Sequence, residues 1–344
     1  MNKKALITGG AGYFGSLLLR KLLEKGYECT IFDLNDASDR PAEVSFIEGD
    51  IRDFSKVFEA CNGMDVIHHN VAQVPLAKNN ELFHTVNYNG TKNLLKAAYE
   101  AKVGKVIYTS SSAVFGVPDA NPVTESTLPS PGETYGMAKY QGELLCKEYI
   151  EKGLDVSIIR PRTIMGHGRL GIFQILFEWI REGSNVPVFG KGDNIYQFVH
   201  SDDLAEACIL AGEKTGSEIY NCGAENFGTM REVLEALCEH AGTGSKVTGV
   251  PMAPAVIGMK LTSAIGLSPL GAYHALMYGR SMYFDISKAK TELNWQPKFS
   301  NIEMFIESYD WYLKNREEVL AATSGSHHRR AVKQGVLGLV KRLL

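Results

Sequence analysis

The chain has 344 residues, 44% of them hydrophobic, enough to bury a full core in one large α/β domain or two modest ones and too apolar for a disordered chain. A formal net charge of −3 and a pI near 6.3 exclude a surface built to neutralise phosphates, so no nucleic acid is expected as partner. The cysteines at 29, 61, 146, 208, 222 and 238 form no CxxC pair and have no histidine at metal spacing. No metal site or disulfide framework is expected, and a reducing cytoplasm is the simpler setting.

From the start, short β-branched runs alternate with helical patterns. MNKK has the charge of a signal peptide, but the apolar run after it stops at Thr8 and Gly9, too soon for a secretory segment. KALITGG reads as a strand, GSLLLRKLLEKG as a helix, and ECTIFDL, VSFIEGDI and MDVIHHNVA as further strands. The helix NYNGTKNLLKAAYEAK and the strands KVIYTSSSAVFG and DVSIIRP follow. Such alternation predicts βαβ units around a parallel sheet covered on both faces, a doubly wound α/β fold of Rossmann type.

Beyond about residue 165 the elements are mixed. GIFQILFEWIREG reads as a helix, VPVFG as a strand, and SDDLAEACILAGE as a helix capped by Ser201 or Asp202. Thr229 with Glu232 predicts a capping box for MREVLEALCEHAG, and a helix over MFIESYDWYLKNREEVL closes the folded part. The weakly polar stretch from Met252 to Tyr278 is broken by Lys260, Pro269 and glycines, too soon to span a membrane. The expected division is residues 1–165 as a parallel-sheet domain, its sheet completed by later segments, then 166–318 as a smaller mixed lobe and 319–344 as a tail.

Within TGGAGYFG, Gly9, Gly12 and Gly15 lie between a strand and a helix. There, glycines allow a tight turn, close approach of a pyrophosphate and close helix packing, while the helix N-terminus offers free amides. Asp33 ends the next strand, where a carboxylate can accept from the adenine ribose hydroxyls and so favours NAD; Arg40 nearby can meet a 2′-phosphate instead. Asp50 and Ile51 can flank the adenine, or form a surface turn.

Tyr135 and Lys139 stand four apart in TYGMAKYQGELLCKEY and share a helix face. An ammonium beside a phenol favours the phenolate, which can then exchange a proton while hydride moves. Ser112 at the end of KVIYTSSS can orient the substrate oxygen, with Ser111 beside it. Taken singly these are an ordinary Tyr/Lys pair and a serine turn; the order of the whole set carries the reading.

These residues resemble the extended short-chain dehydrogenase/reductases, and within them the NAD-dependent epimerase/dehydratase and 3β-hydroxysteroid dehydrogenase groups. TGGAGYFG is similar to the family's TGxxGxxG, Tyr135 and Lys139 to its YxxxK, and TSSSAVFG to its serine strand; VNYNGTKNLL, HSDDLAEA and DISKAKTELNWQPK extend the likeness from Lys3 to about Asn315. The resemblance implies NAD as cofactor, Ser112, Tyr135 and Lys139 as the catalytic set, Lys139 also on the nicotinamide ribose, and a homodimer through helices near 90–100 and 136–150. Further cofactor contacts are expected at Tyr13, Phe14, Asn70, Val71, Ala72, Asn87 and Pro161.

The chain also departs from the pattern. Dehydratases carry Thr-Asp-Glu where Ser111, Ser112 and Ala113 stand, so dehydration is not expected. Thr163 and Tyr196 occupy positions where nucleotide-sugar epimerases place an asparagine and an arginine on the diphosphate; Arg162, Arg169 or Arg280 can compensate. Asn70 stands where the family has a small residue, either as a substrate contact or as a satisfied polar group. Phe173, Phe177 and Trp179, with the Met252–Tyr278 stretch, supply apolar material for a pocket or for core.

The expected activity is epimerisation of a nucleotide- or lipid-linked sugar through a transient ketone. A hydroxysteroid-type dehydrogenase on a lipophilic alcohol is the second reading, and a non-catalytic NAD sensor a third, against which Tyr135 and Lys139 argue. In the tail, Arg329, Arg330, Lys333, Lys341 and Arg342 lie opposite Val332, Val336, Leu339, Val340 and Leu343 at helical spacing. Such a helix can rest on an anionic membrane surface, or the segment is a disordered end or docks on a partner subunit.

Overall fold

Aliphatic runs without polar alternation suit strands covered on both faces. They assemble into a seven-stranded parallel sheet in the computed structural model, which describes residues 2–37, 39–73, 80–264, 277, 279–321 and 341. In chain order the strands are β1 (Lys4–Thr8), β2 (Glu28–Asp33), β3 (Ser45–Glu48), β4 (Val66–His69), β5 (Lys105–Thr109), β6 (Val156–Pro161), β7 (Thr163–Met165), β8 (Val186–Phe189), β9 (Phe198–His200), β10 (Ile219–Cys222) and β11 (Val247–Val250). The main sheet runs β3-β2-β1-β4-β5-β6-β10, while β7 pairs with β9 and β8 with β11. Ile7 of β1 stands between Ile31 of β2 and His68 of β4. The winding reverses between β1 and β4, and a doubly wound sheet opens its ligand crevice there, beyond the carboxyl ends of its strands.

The helices are α1 (Tyr13–Glu24), α2 (Phe54–Cys61), α3 (Thr91–Glu100), α4 (Thr134–Glu151), α5 (Ile172–Arg181), α6 (Ser201–Glu213), α7 (Met230–Ala241), α8 (Met252–Ala264), α9 (Ser287–Leu293) and α10 (Asn301–Ala321). On one face of the sheet, Leu18 and Leu22 of α1 join Leu204 and Cys208 of α6 in the core. On the other, Ala60 of α2, Leu94 of α3 and Leu145 of α4 pack over Ile67 and Val106. A third core gathers Phe177 of α5, Leu237 of α7 and Phe305 and Tyr309 of α10. Sequence proximity therefore does not follow spatial layers: β10 and α6 come late in the chain yet complete the first sheet.

Two local expectations need adjustment. The helix expected over VNYNGTKNLL opens as a π-helical stretch, Phe83–Gly90, before α3. The cap of α6 is His200, whose Nδ1 accepts from Asp202 N at 3.1 Å, and not Ser201 or Asp202. Ser201 Oγ instead lies 3.2 Å from the Tyr13 hydroxyl, and Asp202 sits inside the first turn, paired with Lys21 at 3.5 Å. The capping box of α7 forms as expected from Thr229 and Glu232. All six cysteines are buried free thiols. Among the described residues no helix is long and apolar enough to cross a membrane. The tail lies outside the described residues apart from the end of α10 and Lys341, which pairs with Glu182; residues 265–276 and 278 also lie outside them.

A polar clasp joins α1, the loop after β7 and α10. Tyr13 donates to the His167 carbonyl at 3.1 Å, and His200 Nε2 donates to Glu307 at 2.6 Å. The side-chain ligand atoms of His167, His200 and Glu307 lie within 4.8 Å of one another, a spacing that could hold a metal ion. Because His200 Nδ1 accepts a backbone N–H, its proton resides on Nε2, which leaves no lone pair there for a metal. Burial pushes Glu307 up, but hydrogen bonds from His167 and His200 outweigh it and hold the carboxyl at about 2; the same contact raises His167 above its usual value.

The sign of the pH dependence follows. Glu307 contributes stability above its unfolded value of roughly 4.3, lost as pH falls toward about 2, and His167 contributes below roughly 6.5, lost as pH rises through its raised folded value. Glu307→Gln should therefore lower the urea midpoint most between about pH 5 and 6.5, with the difference from the parent shrinking at pH 3 and pH 8. A difference that stays constant with pH would mean the clasp carries no charge.

Candidate active site

The glycine turn is a cradle that side chains would fill. Gly9 has φ 71°, and a Cβ on it would stand 3.0 Å from Val71 N. A Cβ on Gly15 would stand 2.2 Å from the Gly9 carbonyl oxygen, so α1 could not seat against the end of β1. Gly12 caps α1 with extended backbone and no side-chain cap, which leaves first-turn amides and the helix dipole for an anion. Tyr13, Phe14 and Gly15 line the cleft with it. Asp33 Oδ2 accepts from Ala11 N at 3.1 Å and Oδ1 from Leu34 N at 2.7 Å, tying the turn to the end of β2. Burial pushes its carboxyl up, against these backbone hydrogen bonds. Arg40 is committed elsewhere, to Asp36 at 2.7 and 2.9 Å and to the Val44 carbonyl.

The cleft measures about 680 Å³ and takes in the residues expected at cofactor and substrate except Asn87; of the arginines that could meet a diphosphate it takes in Arg162 and Arg169 and not Arg280. Asn87 stands one layer back and 1% exposed: its Oδ1 accepts from Gln73 N at 2.7 Å and its Nδ2 donates to Gln73 O at 3.0 Å. It holds the loop after β4, where Asn70, Val71 and Ala72 form one wall. Asn70 is a satisfied polar group, accepting from Thr109 Oγ1 at 2.7 Å and donating to His68 O at 3.3 Å. Ile51 and Asp50 close the far end, with Asp50 held low by its hydrogen bond to Arg52.

At the other end lies the tyrosine helix. Glu133 caps α4, accepting from Tyr135 N at 2.7 Å and Gly136 N at 2.6 Å. A Cβ on Gly136 would be 2.3 Å from the Ala113 carbonyl oxygen, and one on Gly142 2.2 Å from the Tyr108 hydroxyl, so α4 lies hard against the end of β5. Lys139, 3% exposed between them, donates to Thr109 O at 2.7 Å, and burial lowers it to about 8. Burial pushes the Tyr135 phenol up to about 12, while a hydrogen bond with Ser111 and the charge of Arg169 pull it down.

The serines lie beyond the strand rather than at its end. β5 ends at Thr109, and Ser112–Phe115 is a 3₁₀ turn with Ser111 as its cap. That turn gives consecutive serines different directions: Ser111 meets Tyr135, whereas Ser112 Oγ, 2% exposed, accepts from Arg162 Nη1 at 2.8 Å. Beneath them Glu143, one more helical turn past Lys139, accepts from Ser110 at 2.6 Å and from Arg160 at 2.9 and 2.6 Å. The sequence reading passed over Gly136, Gly142 and Glu143; the signal was the continued i+4 series with small residues on either side of Lys139.

On the substrate side, Thr163 Oγ1 and the Tyr196 hydroxyl are 2.9 Å apart, and Pro161, Arg162 and Arg169 line the cleft with them. Phe173 joins that wall, whereas Phe177 and Trp179 turn into the third core.

Comparison with known proteins identifies a family for the chain. The sequence model described as the NAD dependent epimerase/dehydratase family matches residues 5–223. An uncharacterised protein of Sinorhizobium fredii, y4nG, is 52% identical over 98% of this chain and 85% of its own. The UDP-N-acetyl-alpha-D-glucosaminuronate decarboxylase of Bacillus cytotoxicus is 32% identical over 73% of this chain and 84% of its own. The solved UDP-glucose 4-epimerase of Thermotoga maritima, in complex with UDP-glucose, superposes with a TM-score of 0.76 at 25% identity, covering 91% of this chain and 99% of that one.

The side chains of Glu143 and Arg160 are 0% and 2% exposed, so removing one partner leaves a buried charge. Glu143→Ala should cost about 3–5 kcal/mol in urea unfolding, and Glu143→Leu with Arg160→Met should recover most of it. A loss under about 1 kcal/mol would mean the pair does not anchor α4.

Proposed function

The chain belongs to the NAD-dependent epimerase/dehydratase family and is an NAD-dependent enzyme of the extended short-chain dehydrogenase type, and from that premise we propose that it epimerises a secondary alcohol of a sugar conjugate through a transient ketone. The observation that carries the reading is one cleft lined at one end by Tyr135, Ser111 and Lys139 and at the other by a glycine cradle and an uncapped helix. Bound NAD supplies the hydride acceptor and, when oxidised, a positive charge near the phenol. Tyr135 takes the alcohol proton as the ketone forms and returns it on reduction. Its value of about 12, with the pull of Arg169 already in it, is too high for a base at neutral pH, so the reading requires the positive charge of the bound oxidised ring to bring it down. Ser111 holds the substrate oxygen, and Lys139 lies on the same helix face behind the phenol.

Elimination is disfavoured by the side chains at hand. Ser111, Ser112 and Ala113 supply no acid, and the nearby carboxylates are engaged, Glu133 as a helix cap and Glu143 with Arg160. The second reading, a hydroxysteroid-type dehydrogenase, draws support from the apolar wall of Leu82, Val86, Ile172 and Phe173. A homodimer through α3 and α4 belongs to the same proposal, supported by Tyr99, Met137 and Leu144, each 44–46% exposed on those helices.

An epimerase regenerates its NAD each cycle and need not release it. Denaturing the purified protein should free close to one NAD or NADH per chain; a site that loads and unloads added NAD freely would favour the dehydrogenase. In a panel of UDP- and dTDP-linked hexoses and uronates, Tyr135→Phe and Ser111→Ala should each lower kcat by about 10²-fold or more, with cofactor content intact. Ser112→Ala should act mainly on KM, and a larger kcat loss there than in Ser111→Ala would sink the serine assignment.

A further inference from the structure

Arg160 and Arg162 point from the same face of one extended segment, and each is 1% exposed. A guanidinium taken out of water needs an anion. Arg160 has one in Glu143, gripped by two nitrogens. Among the described residues Arg162 has none: Nη1 donates to Ser112 and lies 3.3 Å from the Met282 sulfur, while Nε and Nη2 lack a partner. The rings of Tyr196 and Phe284, with centroids 4.6 and 5.6 Å from Cζ, soften the burial without neutralising the charge.

Arg162 and Ser112 both line the cleft. Having accepted from Arg162, the Ser112 hydroxyl keeps its own proton for a donor, strengthened by the cation behind it. Its neighbour in the chain, about 3.8 Å away between Cα atoms, is the serine that meets Tyr135. We propose that Ser112 and Arg162 form an anion-recognition subsite, and that the substrate carries a carboxylate on the carbon next to the alcohol that Tyr135 deprotonates. The proposal rests on the alcohol oxidation argued above and adds the substrate's charge to it. A diphosphate is the weaker fit, because it lies beyond the anomeric carbon, whereas Ser112 adjoins the residue that holds the reacting oxygen. A neutral hydroxymethyl group would leave the buried cation without a counter-charge.

The test uses the full chain saturated with NAD, read by thermal unfolding with free glucuronate or glucose, and by calorimetric titration with UDP-glucuronate, UDP-glucose and UDP. Glucuronate should raise the unfolding midpoint and glucose should not, and UDP-glucuronate should bind about tenfold tighter than UDP-glucose. Arg162→Met should erase both preferences, leave UDP affinity and NAD content unchanged, and unfold no earlier than the parent. Ser112→Ala, a smaller change, should erase the same preferences if Arg162→Met does not fold. Absence of a glucuronate preference in the parent overturns the proposal, and so does equal loss of all three UDP ligands in Arg162→Met, which would assign the guanidinium to phosphate. A glucuronate preference abolished by the variants, with no binding of any UDP ligand, supports the subsite and counts only against a nucleotide carrier.

Discussion

The helix α4 lies so close along the end of β5 that a side chain at Gly136 or Gly142 would overlap the Ala113 carbonyl or the Tyr108 hydroxyl. Glycine inside a helix costs about 1 kcal/mol against alanine, so two in one helix mark a contact that outweighs propensity. That contact puts the first turn of α4 on the 3₁₀ turn after β5, so that Tyr135 meets Ser111, and brings Lys139 within 2.7 Å of the Thr109 carbonyl. Glu143, on the same face, then locks the helix to β6 through Arg160. The reacting end of the cleft is therefore built by sheet and helix backbone, with little left to loops.

The two ends of the cleft answer to different constraints. At the dinucleotide end, close approach is secured by missing side chains and by amides without a cap, so few residue types are tolerated. At the end proposed for substrate, Thr163, Tyr196, Arg162 and Phe173 come from later segments and line the cleft with side chains rather than backbone. The family frame fixes the cofactor chemistry, and the proposed substrate preference rests on these side chains.

Buried charge is handled in two ways on one strand. Arg160 is neutralised within the fold, which stabilises the anchor of α4. Among the described residues Arg162 is left with a hydroxyl, a thioether and two aromatic faces. A fold that can supply a buried carboxylate to one arginine and withholds it two residues later keeps an uncompensated cation where the reaction is proposed to occur.

The strand and helix alternation, the glycine turn, Asp33, the Tyr135–Lys139 spacing and the Thr229–Glu232 cap were all legible in the chain, because each is a local pattern whose physics needs no distant partner. Ser111 and Ser112 are equivalent in a triplet; only the 3₁₀ turn, seated against α4, sends one hydroxyl to the phenol and the other to Arg162. Asn87 sits in a segment whose π-helical turn directs its amide to the backbone of Gln73, a contact across 14 positions that periodicity cannot reveal. His200 became a cap because tertiary contacts drew Ser201 toward Tyr13. What the sequence determined by itself is the class of fold and the kind of cofactor, which follow from repeating local rules. Which hydroxyl serves the phenol, and which arginine is left without an acid, were decided by packing between segments far apart in the chain.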